Sequence, residues 1–515
     1  MASQLALIGE QDLFLSGNPT HTLWSSVWKR STLFSMESIN QPFNGDASLG
    51  RKCNVVISRS GDLLHTIYLQ LQVPDLSDFS INRQAVPEQS RAVIVSARWT
   101  SASSARVKYL VPTDGISSDF EPIVTDGDGL VVSDVEVTES GFNTMIITGL
   151  DKSKTYTVQI NRVVDSSVSE PERIVCLRWS NALGNAMLRK VSLHIGGTMI
   201  SEATGEYYDI ANELEMTNEK FEAYSRLIGK FPEYDLFDNS IEGGTTLFVP
   251  INMTFFKEAS SAIPLISLAF HQVQLFFDFR SYSELIKSDV NIVSLMNTNG
   301  KTPESDFNIE LYSTFIYLSQ PERQRFLAQD QKLEYIFHDI QAIDVPLIVN
   351  SNNTNLNKKI NFVFNNPCVE LLWTYTKAER YNNSISTEEY CTKGNDYFRY
   401  DIDRSTEIFD YANLQINGVD RQSRRPGLYY KQMEPYLRHS RTSLKDIFCF
   451  SFALQPENLQ PSGSLNFSRV ERSDLLLTLN SKFLEGVHSG KITIFSKSLN
   501  ILRIENGLAG VLFAS

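Results

Sequence analysis

The feature that most constrains this chain is a period of two in its apolar residues, repeated from one end to the other. Ile67, Leu69, Leu71 and Val73 alternate with Tyr68, Gln70 and Gln72, which places one set of side chains on one face of a strand. Val191 to Ile195, Val273 to Phe279, Phe307 to Leu318, Leu475 to Leu479 and Ile492 to Ile494 also read as strands, and Ile360, Phe362 and Phe364 open the second half. A chain patterned in this way buries its apolar faces by packing sheets together. Near the end, Phe448, Phe450 and Phe452 alternate with Cys449 and Ser451, predicting a strand with one buried face. Gln460-Pro461-Ser462-Gly463-Ser464 then predicts a rigid turn, because Pro fixes φ and Gly reaches positive φ freely. Ser462, Ser464 and Ser468 have no His or Cys close by in sequence, so the turn carries no nucleophile pattern.

Helical spacing is rarer. Tyr207, Ile210, Ala211, Leu214, Phe221, Tyr224 and Ile228 predict one helix with an apolar face. Phe326, Leu333, Phe337 and Ile340 predict another, which Pro321 would open. Leu247 to Phe256 reads as a strand, and Tyr381 to Tyr411 as a long polar excursion exposed between strands.

At 515 residues the chain exceeds one hydrophobic core, so two or three domains are expected. From residue 77 to about 175 the composition shifts toward Val, Ser, Thr and Asp, predicting a small all-β unit of its own. Its end, Ile147-Thr148-Gly149-Leu150 through Tyr156-Thr157-Val158, resembles the fibronectin type III pattern. In that pattern a tyrosine hydroxyl pins the corner; a generic immunoglobulin-like sandwich predicts nearly the same arrangement.

A net charge of −13 argues against a protein that coats phosphate backbones. Cys53, Cys176, Cys368, Cys391 and Cys449 form no CxxC pair and read as buried thiols in a reducing compartment. No signal peptide or membrane span is visible. His21, His65, His194, His271, His338, His439 and His488 have no metal-ligand spacing and read as ordinary strand or loop residues. Asp401, Asp403 and Glu407 lack the glycine and spacing of a calcium loop. Arg421 to Arg425 with Arg438 and Arg441 form either an intersubunit contact or a solvated basic loop. Sequons at Asn252, Asn352, Asn382 and Asn466 matter only in a secretory pathway that nothing here indicates. No residue is expected to be catalytic, to bind a cofactor or to hold a metal, and no cofactor is expected.

Ordered motifs through nearly the whole chain outside the inserted unit then point to a family. They include Trp28-Lys29-Arg30-Ser31-Thr32-Leu33-Phe34, Arg59-Ser60-Gly61-Asp62-Leu63, Ile195-Gly196-Gly197, Val249-Pro250, Asn365-Asn366-Pro367, Glu370-Leu371-Leu372-Trp373 and Asn417-Gly418-Val419-Asp420-Arg421. The most specific runs from Ser451-Phe452-Ala453-Leu454 through Gln460-Pro461-Ser462-Gly463 to Asn466-Phe467-Ser468-Arg469. In these the chain resembles the double jelly-roll major capsid proteins of nucleocytoplasmic large DNA viruses, the group including iridoviruses and phycodnaviruses.

The resemblance implies an all-β chain of two tandem eight-stranded antiparallel jelly rolls with short helices, plus the inserted fibronectin III/Ig-like β-sandwich. The expected division is an arm at 1–25, a first jelly roll at 26–320 interrupted by the insert at 85–175, a connector helix at 321–335, and a second jelly roll at 336–515. It further implies homotrimers that form pseudo-hexagonal capsomers of an icosahedral shell, assembled in the host cytoplasm. Expected partners are neighbouring capsomers, minor capsid, cement and penton proteins, and an internal membrane beneath the shell that the chain does not enter. Direct nucleic-acid binding is not expected; host-surface contact through 85–175 is. Two other classes stand beside this one: a carbohydrate-binding or host-attachment protein of the virion, suggested by the insert alone, and a glycosidase, which would need two carboxylates across a cleft.

Overall fold

The computed structural model describes residues 29–74, 93–99, 103–110, 120–127, 130–133, 135–139, 144–151, 154–162, 172–173, 177–230, 245–288, 307–328, 332–349, 356–381, 396–401, 407–484 and 488–513, with single positions 18, 20 and 24. The arm at 1–25 lies almost wholly outside them, as do Cys176, Cys391, His21, Asp403, Asn352 and Asn382.

The alternating segments become two β units in series. In the first, Phe34–Gln41, Asn308–Leu318, Leu63–Val73 and Thr245–Pro250 lie side by side in that order, with Ile263–Pro264 also paired to Leu63–Val73. Opposite them lie Thr198–Ala203, Leu188–Ile195, Val273–Phe279 and Lys52–Val56. The inward residues of both sheets, among them Ile67, Leu69, Leu71, Val55, Leu193 and Leu275, share one core. A strand from the start of the unit pairs antiparallel with one from its end, Phe34 opposite Leu318, and this closes the unit on itself.

In the second unit, one sheet orders Leu333–Val349, His488–Glu505, Pro367–Lys377 and Ile447–Ser451, and the other Asn357–Phe362, Ser473–Leu479, Phe409–Ile416 and Val419–Asp420. Pro367–Lys377 is buried along nearly its whole length and Phe448, Cys449 and Phe450 are all buried. The single buried face expected at Phe448 to Phe452 is therefore corrected to two. One face, with Trp373, Phe448 and Ile494, fills the second unit's core; the other, with Leu372, Cys449 and Phe495, belongs to the first unit's cluster. A sheet covered on both sides loses its polar alternation.

Four other expectations change. The connector helix expected at 321–335 spans only Gln320–Leu327, with Pro321 in its first turn, and Leu333–Val349 is a strand paired along its length with His488–Glu505. Leu333 and Phe337 are separated by four residues, a spacing compatible with either period, and the long pairing decides for the strand. The helix expected through Tyr207 and Ile228 is two, Gly205–Glu215 and Asn218–Ile228, and the strand from Leu247 ends at Pro250 before a short helix at Thr254–Lys257. Within the excursion from Tyr381 to Tyr411, Tyr397, Phe398 and Tyr400 are buried.

The described strands between Val93 and Arg173 form two further small sheets. Val93–Trp99, Ser104–Leu110, Thr144–Thr148 and Glu136–Glu139 make one; Phe120–Asp126 and Tyr156–Arg162, with Glu172–Arg173, make the other. They enclose a core of their own, including Val107, Met145, Ile147, Tyr156 and Val158. The Asp151 backbone N–H donates to the Tyr156 hydroxyl at 3.2 Å, pinning the corner between them. The Trp179 indole donates to the Pro74 carbonyl at 3.3 Å, so the chain returns to the point from which it left.

Candidate functional site

The densest chemistry among the described residues lies where the two units meet. It begins with the helix Gly205–Glu215, whose start is fixed by Thr204, the side chain of which accepts from the Tyr207 N–H at 3.2 Å. Gly205 is required there: a Cβ would stand 2.1 Å from the Asn185 carbonyl oxygen. Tyr207, Ile210 and Leu214 face the core as their spacing predicts. Glu206, Asp209, Glu213 and Glu215 are interleaved with them and point at the second unit. Carboxylates near a helix C-terminus oppose the helix dipole, so Glu213 and Glu215 need cations close by.

The second unit and the adjoining turn supply them. Gly229 takes a left-handed conformation that ends Asn218–Ile228, and the Lys230 N–H returns to the Ser225 carbonyl at 2.7 Å. This aims Lys230 at Asp209 (2.8 Å) and Glu213 (2.7 Å). Lys445 reaches the other Asp209 oxygen at 2.7 Å, and Arg441 the other Glu213 oxygen at 2.9 Å. Burial alone would raise both carboxyls, but the Lys230 and Lys445 ammonium groups outweigh it and hold both below the usual carboxylate range.

A second series runs deeper. Lys257 contacts Glu215 at 2.6 Å, Glu215 contacts Lys497 at 2.8 Å, and Lys497 contacts Glu370 at 3.2 Å. Glu370 then pairs with His439 Nε2 at 3.0 Å, and His439 Nδ1 with Glu457 at 3.2 Å. The signs alternate throughout. The Lys497 side chain is 2 % exposed and the Glu370 side chain 1 %. Burial pushes Glu370 up, Lys497 and His439 pull it down further, and the balance is about 2. His439 is lowered by burial but raised more by Glu370, with Cys449 and Glu457 adding to it, and ends well above the ordinary histidine range. Apolar contacts flank the ions, Phe255 against Phe337 at 5.2 Å and Tyr207 against Phe495 at 5.8 Å.

This seam was not among the residues expected to matter. Arg441, grouped with the candidate intersubunit arginines, turns inward, and the His439 side chain, expected to be that of an ordinary strand or loop residue, is shut off from solvent between the Glu370 and Glu457 carboxylates. Asp401 is engaged by Arg380 at 2.8 Å and Arg399 at 2.9 Å, and Glu407 by Lys431. Among the described residues no group of three His, Cys, Asp or Glu side chains is placed to hold a metal. No helix among them is long and apolar enough to cross a membrane. Asn466 accepts from the Ser468 N–H, Ser468 Oγ accepts from the Asn366 N–H, and Phe467 packs on Phe362 and Phe364. The motif after Ile447–Ser451 therefore staples a loop to the sheet. A small cavity at the seam is lined by Tyr207, Glu215, Lys257, His338, Glu457 and Lys497, and the ion pairs around it join the two β units into one block.

His439 gives the seam a pH signature. A group whose folded pKa is raised contributes stability that is complete below its unfolded value, about 6.5, and lost as pH rises through the folded value. Glu370 behaves oppositely: its contribution is complete above about 4.5 and lost as pH falls toward about 2. The groups facing His439 are Glu370, Glu457, Cys449 and, through its field, Glu434. Urea unfolding across pH should therefore show full support from this cluster between about pH 4.5 and 6.5. His439→Gln should flatten the decline on the alkaline side; an unchanged alkaline limb would remove the role assigned to His439.

The family described as major capsid protein N-terminus matches residues 22–98 and 149–319, and the family of large eukaryotic DNA virus major capsid proteins matches 322–510. The chain belongs to the major capsid protein family of large eukaryotic DNA viruses. The major capsid protein of Phaeocystis pouchetii virus is 24 % identical, with 99 % of each chain covered. That of Pyramimonas orientalis virus is 26 % identical over 99 % of this chain and 98 % of its own. A quasi-atomic model of the PBCV-1 virus capsid matches with a TM-score of 0.64 and 20 % identity, over 96 % of this chain and 100 % of that one. The mostly β architecture is thus that of the double jelly-roll capsid proteins. In this family member the seam joins the two jelly rolls.

Proposed function

We propose that the chain is a structural tile of a viral shell. Three copies form a pseudo-hexagonal capsomer, and capsomers cover an icosahedral capsid assembled in the host cytoplasm. Each unit, at 26–320 and 336–515, acts as an eight-stranded jelly roll, because two barrels per chain turn threefold symmetry into a nearly sixfold outline. The observation that carries this reading is that both halves match capsid families while a buried charged seam fixes one half against the other. A tile needs that rigidity and needs no catalytic group, so the chain is not an enzyme and binds no nucleic acid directly. Its partners are neighbouring capsomers, minor capsid, cement and penton proteins, and a membrane that it lies above without entering.

Residues 85–175 are an immunoglobulin or fibronectin III-like domain in one loop of the first jelly roll, displayed on the outer surface and available for host contact. The sheets of four and three strands, the Tyr156 corner and the bond from Trp179 to Pro74 support this. A domain with adjacent ends can be inserted without disturbing its host.

Size-exclusion chromatography with light scattering tests the proposal: the expected mass is three times the 58.3 kDa of one chain, and a monomer at micromolar concentration under assembly conditions would contradict it. Replacing 85–175 by a short linker should leave the trimer intact. Loss of folding in that variant would make the segment part of the core.

A further inference from the structure

Resting on that reading, we propose that the acidic, apolar edge of the inserted domain in one copy docks on the basic, apolar helical connection at 428–438 in a second copy beside it. This connection leads from Val419–Asp420 to Ile447–Ser451, and its helix opens with a π turn at Tyr429–Met433 that continues as Glu434–Arg438. Such turns are rare and frequent at functional sites. Met433, Tyr436 and Leu437 are 45 %, 74 % and 50 % exposed, with Leu428 and Leu444 at 48 % and 93 %. One exposed leucine needs no explanation; five large apolar side chains on a single connection do.

The cations of this connection divide into two sets. Lys431, Arg441 and Lys445 are held by Asp446, Glu213 and Asp209. Arg421, Arg424, Arg425 and Arg438 have no carboxylate within ion-pair distance among the described residues, and Arg424 and Arg425 lie over the rings of Tyr411 and Tyr429. In a chain of net charge −13 this is a local positive surface. Its Arg, Tyr and Met content is that of interface anchors.

The inserted domain carries the complement. Between Tyr109 and Leu150 lie eight carboxylates and no Lys or Arg. Glu121 and Glu136 are exposed, and so are Leu130, Val131 and Val137. Among the described residues Glu136–Glu139 is one of the two edge strands of its sheet, and an edge strand offers backbone groups to a partner.

Direct bonds tie the root of the insert to the seam that the basic connection also reaches. The chain leaves the insert through Trp179, and the Ala182 N–H donates to the Gly229 carbonyl at 3.0 Å. The next residue, Lys230, shares Asp209 and Glu213 with Lys445 and Arg441 of the basic connection. Opposite charge and matching exposed apolar side chains on the acidic edge of one copy and the basic helix of the next set the register of that docking.

The test uses the full-length chain with Tyr436 replaced by photoreactive p-benzoylphenylalanine, in a mixture of isotopically light and heavy copies, with mass in solution followed by light scattering. The expected result is light-to-heavy cross-links from position 436 to peptides within 120–139. Arg421→Glu with Arg425→Glu should lower their yield about tenfold, and partner copies carrying Glu121→Lys and Glu136→Lys should restore it. Trimers that cross-link elsewhere, or only within their own chain, would overturn the docking and leave the capsid reading standing. A monomer would overturn the capsid reading itself and the docking with it.

Discussion

Replacing Lys497 with methionine is expected to destabilise the chain by about 3–5 kcal/mol, the usual result of removing one partner from a buried ion pair. Lys497 stands between Glu215 of the first jelly roll and Glu370 of the second, at 2.8 Å and 3.2 Å, and little of it reaches solvent. Its loss removes the cation between two buried carboxylates, leaving Glu215 to Lys257 alone and Glu370 to His439 alone. The repulsion between them then favours uptake of a proton or opening of the seam. The direction is reversible by design: adding Glu215→Gln and Glu370→Gln removes the uncompensated charge and should recover most of the loss, because a neutral, well-filled replacement of a buried ionic group is often tolerated. Urea midpoints at fixed protein concentration measure both steps. If the single variant is as stable as the parent, Lys497 is not holding the seam; if the triple variant is no better than the single, lost packing rather than stranded charge explains the effect.

Trp373→Ala should cost a similar amount, about 3–5 kcal/mol, for a different reason. The indole is 1 % exposed and lies between Phe448, with ring centroids 6.1 Å apart, and Tyr430 at 5.3 Å. Truncation leaves a cavity in the core of the second jelly roll, which the surrounding sheet cannot fill without moving. Its neighbour Leu372 points the other way, into the cluster of the first jelly roll. The cavity should therefore lower the unfolding midpoint of both units together. A loss confined to the second unit would mean that the shared sheet does not transmit it.

The strands were legible because one buried face writes a period of two, as at Ile67 to Val73 and Val273 to Phe279. The sheet between the units was legible as strand but not as a joint. Lys497 sits in Ser496-Lys497-Ser498, a wholly polar triplet with nothing in it to mark a buried face, and the first jelly roll laid across it takes the lysine out of water. The same cover buries Tyr397, Phe398 and Tyr400 inside a stretch whose composition reads as a solvated excursion. Asp209 and Glu213 recur at helical spacing beside an apolar face, a pattern that usually marks a wet flank. Nothing local distinguishes a wet flank from a seam, because the second unit's cations, Arg441 and Lys445, lie more than two hundred residues away.

If the seam makes one block of two barrels, hydrogen exchange measured by mass spectrometry through a urea series tests it most directly. Peptides from Leu63–Val73 in the first core and Pro367–Lys377 in the second should lose protection at the same urea concentration. Exposure of Pro367–Lys377 while Leu63–Val73 stays protected would contradict a single block.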